Sequence, residues 1–327
     1  MKLQQLRYIV AMMRHDLNVS QTADALFTSQ PGVSKQIRLL EDEIGVEIFQ
    51  RSGKQITNVT PAGERIVEIA DAILQQVEDI RTVGREHANP NVGELRIATT
   101  HTQARYVLPP VIEKFRERYP HVVLHIHQGT PAQIAELAAS GQVDFAIATE
   151  GMSLFADLVM LPCFHWYRAI LVPVGHPLQK IDALDGLTLE ALSTYPLVTY
   201  VFGFSGQSKL DDAFKRRGLR PNVVLTASDA DVIRTYVRMG LGVGIVAELA
   251  VAESAGEGLV ALDADQLFEH STTHIAFRKS AKLRGFMYDF IELFSPHLTQ
   301  SMVDEASALA STAARQDFFA DVKLRTL

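Results

Sequence analysis

The chain has 327 residues, 47% of them hydrophobic and 21% charged, with a net charge of −7 and a mean hydropathy of +0.07. At ~100 to 200 residues per domain, this length implies two or three domains with ample core. No apolar run approaches the ~20 residues of a membrane span, the apolar stretch between Arg7 and Arg14 is too short for an export signal, and the single Cys163 excludes an internal disulfide or a cysteine-built zinc site. A cytoplasmic protein is expected, with Cys163, between Pro162 and Phe164, as a buried structural thiol.

Leu3, Leu6, Ile9, Val10 and Met13 form an apolar stripe that predicts a helix over about 2–15. A second helix is expected over 19–26 with Asn18 as its N-cap, followed by a turn of Phe27, Thr28 and Ser29. Ser29 caps a third helix, Pro31 suits its first turn, Val33, Ile37, Leu40 and Ile44 give it an apolar face, and Gly45 ends it. Gln30, Ser34, Lys35 and Arg38 occupy the other face near the N-terminal end, the end that a helix-turn-helix presents to the major groove. With Thr28, Ser29 and Pro31 they make the expected DNA-contacting set. An amphipathic helix with a solvated polar face fits the same pattern in isolation; its place as the third of three helices favours DNA.

Residues 46–60 read as two short strands around Ser52-Gly53-Lys54, a basic wing in which Arg51, Ser52 and Lys54 contact phosphates. Within residues 1–60, seven basic side chains face six acidic ones. Affinity for DNA is therefore expected to depend on dimerisation and several phosphate contacts. Thr60-Pro61 then starts a long helix with threonine at the cap and proline at the first position. Along it Ile66, Ala70, Ile73, Val77, Ile80 and Gly84 alternate spacings of four and three, a coiled-coil seam suited to a dimer. A single amphipathic helix lying on its own domain is the alternative.

From Gly93 onward strands alternate with helices. Strands are expected over 95–99, 122–128, 145–149, 169–174, 197–201, 223–226, 244–247 and 271–277, and helices over 103–118, 131–140, 187–193, 208–217, 229–239 and 283–295. That alternation predicts a parallel α/β architecture in two halves, with a ligand crevice at the carboxyl ends of the strands. Thr99-Thr-His-Thr-Gln103 leads from a strand into a helix and makes a ready anion site. Gln128-Gly-Thr-Pro131, Thr149-Glu150, Trp166 and the segment from Tyr200 to Gly206 bring further hydroxyls, amides and rings to strand ends. Each is an ordinary cap when taken alone; convergence at one crevice is the functional argument. An enzyme or a transport receptor on the same two-half fold is the competing class. Against an enzyme, no Gly-rich phosphate loop, nucleophile elbow or metal-spaced cluster is present, so no catalytic set, metal or cofactor is expected. His125 and His127 read as a solvated strand edge, and Gly240, Gly242 and Gly244 follow a helix instead of opening one.

The run from Leu6 to Gly63, with Ala23, Ser29-Gln-Pro, Ser34-Lys-Gln-Ile, Leu40-Glu41, Gly45, Phe49, Arg51 and Thr60-Pro-Ala-Gly63, resembles the winged helix-turn-helix of LysR-type transcriptional regulators. Segments 1–8, 97–106, 144–150, 162–166 and 229–238 extend the likeness to about Thr299 and to the CysB-type branch of that family. The resemblance implies a winged helix-turn-helix over 1–60, a linking and dimerising helix over 61–91, and an effector-binding domain of periplasmic-binding-protein type over 92–300. The first lobe of that domain would take about 92–162 and 268–300, the second about 163–267. The tail 301–327 matches least and is assigned no function. The resemblance further implies a homo-oligomer, a tetramer, that binds double-stranded DNA, works with RNA polymerase and activates sulfur-assimilation and cysteine genes. Acetylserine would induce and sulfate or thiosulfate would oppose it; a sulfonate-use regulator of the same family is the alternative. Carried over by motif, Thr100, Thr102, Gln103 and Thr149 hold the anion and Trp166 lines the cavity, with Thr130 and Phe202 beside them. Val201 stands where some members carry threonine, which removes one donor. The uncharged, donor-rich set suits sulfate, which only accepts hydrogen bonds, and Glu150 is placed at the rim.

Overall fold

The structure, a computed structural model, describes residues 1–53, 55–88, 91–149, 157–201, 209–251 and 258–327. It divides into two compact units, Met1–Asn89 and Pro90–Leu327.

The first unit opens with α1 (Leu3–Arg14), α2 (Val19–Ala25) and α3 (Gln30–Ile44). The caps lie where the sequence puts them: Asn18 accepts from the N–H groups of Ser20 and Gln21, Ser29 from that of Gly32, and Gly45 ends α3 at φ 74°. Leu6, Ile9, Met12, Val33, Ile37 and Leu40 pack into one core. Met12 takes the place expected of Met13, because it lies three and four residues beyond Ile9 and Tyr8 on the same face; Met13 and Leu3 are exposed. The chain reverses between α2 and α3 at Phe27, whose φ is 49° and whose side chain is 98% exposed.

The wing is an antiparallel pair, β1 (Phe49–Ser52) and β2 (Gln55–Val59). Glu41, buried on α3, fastens it. One carboxylate oxygen accepts from the N–H groups of Ile48 (2.9 Å) and Phe49 (3.1 Å), the other from Arg51 Nη2 at 2.6 Å. Three donors, one of them charged, stabilise a carboxylate that would be costly to bury alone. Helix α4 (Pro61–Ala88) starts at a Thr60 cap on the Gly63 N–H, 2.9 Å. Its Val67 and Ala70 are buried in the same core, with Ile66 and Ile73 packed beside them, and Asp71 pairs with Arg14 at 2.9 Å. Part of the seam expected for a dimer is thus turned onto α1, while Ile69 and Ile80 stay exposed.

The second unit runs β3 (Val92–Thr99), a π turn (Gln103–Val107), α5 (Leu108–Arg118), β4 (His121–Gln128), α6 (Pro131–Ala139), β5 (Phe145–Ala148) and β6 (Leu158–Trp166). It continues through β7 (Arg168–Pro173), α7 (Leu178–Asp185), α8 (Leu189–Ser193), β8 (Leu197–Tyr200), α9 (Lys209–Arg216), β9 (Val223–Ala227), α10 (Ala230–Arg238), β10 (Val243–Ala247) and β11 (Leu259–Asp263). It closes with β12 (Ser271–Arg278), α11 (Gly285–Phe294), α12 (Gln300–Ala308), α13 (Thr312–Phe319) and β13 (Arg325–Thr326). One sheet has the order β13-β6-β12-β5-β3-β4, the other β11-β7-β10-β8-β9. The chain passes from the first lobe to the second at Tyr167 and returns between β11 and β12, so the first lobe extends beyond Pro162.

Both sheets are mixed, which corrects the parallel reading. The β3, β4 and β5 strands are parallel, as are β8, β9 and β10, but β12 runs antiparallel to β5 and β6, and β7 antiparallel to β10 and β11. The strands β6 and β11, which lead into the two passages, escaped the sequence reading, as did α7 and the tail elements α12, α13 and β13. In β6 the reason is Pro162, which lacks the ladder N–H; the register shifts opposite it, between Thr273 and His274. The tail belongs to the first lobe: Val303, Ala306 and Phe319 join its core and β13 pairs with β6.

Gly63 sets the approach of α4 to the wing. A Cβ there would lie 2.1 Å from the Ile48 carbonyl oxygen, whose residue also carries one of the Glu41 bonds. Gly63→Ala is expected to destabilise the first unit by about 1–3 kcal/mol, as overpacking does; chemical denaturation of the full chain, followed by α-helical signal, measures it.

Candidate functional site

On the first unit, the exposed end of α3 presents Gln30, Pro31, Lys35 and Arg38 to solvent, with Thr28 and Ser34 half-buried behind them. Three side chains of the expected DNA set also have internal partners among the described residues. Gln30 Nε2 donates to Ser20 Oγ at 2.7 Å, tying the start of α3 to α2, and Ser29 caps α3. Arg51 bears on Glu41, a structural role that the sequence reading lacked. Ser52 is exposed on the wing, and Lys54 lies outside the described residues.

The second unit carries a cavity of about 150 Å³ between the lobes. From the first lobe Thr100, Thr102, Gln103 and Thr149 line it, and Trp166 closes one wall at the end of β6. Five of the seven expected ligand residues are therefore brought together. Thr130 is not among them: its hydroxyl caps α6 in a capping box with Gln133, and Pro131 takes the lining position. Phe202 and Glu150 lie outside the described residues. Val201 does line the cavity.

A hydrogen-bonded row backs the first-lobe wall. Trp166 Nε1–H donates to Thr149 Oγ1 at 3.2 Å, Thr149 meets the buried Thr273 hydroxyl at 3.5 Å, and Gln103 Nε2 donates to Thr273 Oγ1 at 3.1 Å. Gln103 is 2% exposed and its Oε1 has no protein partner, so an acceptor as well as donors stands at this wall. The second lobe and the passage into it add Arg168, Tyr200 and Ser228. The Tyr200 hydroxyl accepts from the Ala247 N–H at 3.2 Å and bonds Thr102 across the crevice; burial pushes its pKa up. Arg168 lies over the Trp166 ring at 5.5 Å and brings a cation that the sequence reading missed. Its position one residue past the lobe passage was the available signal.

Beside the cavity, the segment that carries Thr100, Thr102 and Gln103 also reaches the other lobe. His101 Nε2, Arg105 Nε and the Tyr106 hydroxyl bond Asp231 on α10 at 3.2, 3.1 and 3.1 Å, and Arg234 Nη1 joins at 3.2 Å. Burial alone raises the Asp231 pKa; the bonds from His101 and Tyr106 and the charges of Arg105 and Arg234 outweigh it and hold the carboxyl below its ordinary value. Burial first, then the neighbouring carboxylate, raises the Tyr106 pKa. His101, Asp229 and Asp231 have ligand atoms close enough for a cation, but two guanidinium groups already neutralise Asp231. His125 and His127 are exposed along the β4 edge. Gly242 and Gly244 are packing positions, where a Cβ would meet Pro196 O at 2.4 Å and Val237 Cγ2 at 2.8 Å.

Both units match models of one family: residues 3–64 the bacterial regulatory helix-turn-helix of the LysR family, and residues 88–299 the LysR substrate binding domain. The chain belongs to the LysR family of DNA-binding transcriptional regulators. It is 54% identical to the HTH-type transcriptional regulator CysB of Haemophilus influenzae, over 100% of both chains. It is 46% identical to SsuR of Burkholderia cenocepacia over 93% of this chain and 97% of that one, and 44% identical to the Escherichia coli regulator cbl over 91% and 94%. The crystal structure of the cofactor-binding domain of the Cbl regulator aligns with a TM-score of 0.63 and 43% identity, over 67% of this chain and 95% of that chain. Among the described residues, no helix is long and apolar enough to cross a membrane.

Cys163 is fully buried in the first-lobe core, and burial pushes its thiol up to about 12. A thiol so far from its thiolate is a poor nucleophile. Ellman's reagent at about pH 8 is expected to leave the native chain unlabelled and to label it once unfolded; rapid labelling of the native state would contradict the burial.

Proposed function

We propose that this chain is a cytoplasmic, CysB-type regulator of sulfur assimilation and cysteine biosynthesis, switched by acetylserine with sulfate or thiosulfate as opposing ligands. The observation that carries this reading is the full-length identity to CysB of Haemophilus influenzae together with a cavity that gathers Thr100, Thr102, Gln103, Thr149 and Trp166. The ligand class follows from chemistry: hydroxyl and amide donors with the Arg168 cation suit an oxyanion, and the Gln103 acceptor suits an amide or hydroxyl hydrogen. Lys35 and Arg38 read bases from α3 while Ser52 and Lys54 hold phosphates, and two such units match the half-sites of an operator. The working form is a homotetramer that acts with RNA polymerase. The likeness to SsuR and cbl supports a second reading, a regulator of sulfonate use within the same family.

A panel of sulfate, thiosulfate, N-acetylserine and sulfonates, scored by thermal shift of the full chain, separates the two readings. Gel shifts on sulfur-gene promoters with and without N-acetylserine test the regulator itself. Absence of DNA binding at low salt would overturn it. Thr149→Val removes one donor and is expected to weaken sulfate binding by about 1–2 kcal/mol, roughly a tenfold rise in Kd by calorimetry. Arg38→Ala is expected to weaken operator binding by about 1–3 kcal/mol and relax specificity at its position, measured by titration of labelled operator beside scrambled DNA.

A further inference from the structure

We propose that Asp231 is a positioning residue of the effector crevice: it binds the segment that carries the ligand donors and so holds the two lobes at the separation the ligand needs. This rests on reading the crevice as the effector site.

The reach of one short segment carries the argument. Residues 100–107 place Thr100, Thr102 and Gln103 on the cavity and send His101, Arg105 and Tyr106 to Asp231 on α10. Asp231 lies 130 residues from His101 and belongs to the opposite lobe. Its carboxylate can only accept, so His101 Nε2 donates to it, while Nδ1 lies 3.2 Å from the side-chain amide of Gln128. Tyr106 also packs into the second-lobe cluster of Leu171, Val198, Ile233 and Val237, and its hydroxyl lies 3.5 Å from Arg234 Nη1. Arg234 is 5% exposed, so the second lobe anchors Asp231 from below. Residues Gln103–Val107 of this segment form a π turn, a geometry that positions successive side chains where an α-helix would not.

The consequence is a linkage. A ligand held between the lobes binds the closed arrangement, so its apparent affinity falls with the fraction of molecules that are closed. Asp231 is not itself a lining residue of the cavity. Its effect on ligand affinity passes through the 100–107 segment and the lobe separation.

The test uses the full chain with Asp231→Ala, Asp231→Asn, His101→Gln and the double variant His101→Gln/Asp231→Asn. Sodium sulfate and N-acetylserine serve as probes in calorimetry, and backbone hydrogen exchange of segments 100–107 and 229–238 is followed without ligand. The expected results are a loss of affinity of about tenfold for both probes in Asp231→Ala, a smaller loss in Asp231→Asn, which still accepts from Tyr106, and faster exchange of both segments. His101→Gln and Asp231→Asn should be less than additive, because they remove one shared bond. DNA binding without ligand at low salt should stay at the parental level. Parental affinity and parental exchange in Asp231→Ala would overturn the proposal, as would full additivity in the double variant. If the parent binds neither probe while exchange rises in Asp231→Ala, the contact between the lobes stands and the effector reading fails.

Discussion

Two adjacent passages of the chain, at Tyr167 and between β11 and β12, join two sheets that are otherwise built from separate strands. That constraint governs the second unit. A lobe pair joined by neighbouring passages has one soft coordinate, opening and closing of the crevice, and groups that cross the crevice bias it. Trp166 ends the strand entering the outward passage, Arg168 begins the strand leaving it, and Ser271 begins the strand after the return. Arg168 Nη1 reaches Ser271 Oγ at 3.5 Å, so the passages are tied to each other at the point where the lining residues emerge. Ligand chemistry and lobe geometry therefore meet in the same few residues, as a binding event that shifts a two-state population requires.

The first unit obeys a different economy. It is small, so its wing cannot rest on a core of its own. The Glu41 carboxylate supplies the missing connection by taking two backbone donors from the start of the wing and one guanidinium from Arg51. The N–H groups of Ile48 and Phe49 would otherwise face an apolar interior, where an unpaired donor is costly. Gly63 completes the joint from the other side by letting α4 touch the Ile48 carbonyl. The near balance of charge in residues 1–60 thus includes one ion pair, Glu41 with Arg51, that is structural, and the basic side chains Lys35 and Arg38 lie on α3 ahead of the exposed Asp42 and Glu43.

Local signals carried most of the fold. Caps at Asn18, Ser29 and Thr60 and the stop at Gly45 were legible because each acts within three or four residues. The crevice residues Thr100, Thr102 and Gln103 were legible because they follow one strand in sequence. What was hidden depends on distant pairing. Strand β6 looks broken by Pro162, but it stays in the ladder, with Cys163 passed over between the pairs Thr273–Phe164 and His274–Pro162. Thr273 completes the Gln103 and Thr149 row from 170 and 124 residues away, and Asp231 meets His101 across the crevice. Thr130 misled for the opposite reason: a cap and a ligand donor use the same hydroxyl, and Gln133 three residues on decides for the cap.

The buried row at the first-lobe wall also revises the chemistry of the crevice. A set of donors alone would fit a proton-free oxyanion and nothing else. Thr149 already accepts from Trp166, so its own hydroxyl hydrogen is available either to Thr273 or to a ligand. With the Gln103 amide donating to Thr273, its Oε1 is a buried acceptor without a partner; with the amide reversed, Thr273 donates and Nε2 takes that place. The first arrangement offers an acceptor, the second a donor. One rotation of a buried threonine hydroxyl and one amide reversal therefore exchange an acceptor for a donor at the same residue. Because Gln103 sits at the head of the segment that ends on Asp231, the two arrangements are also connected to how the lobes are held.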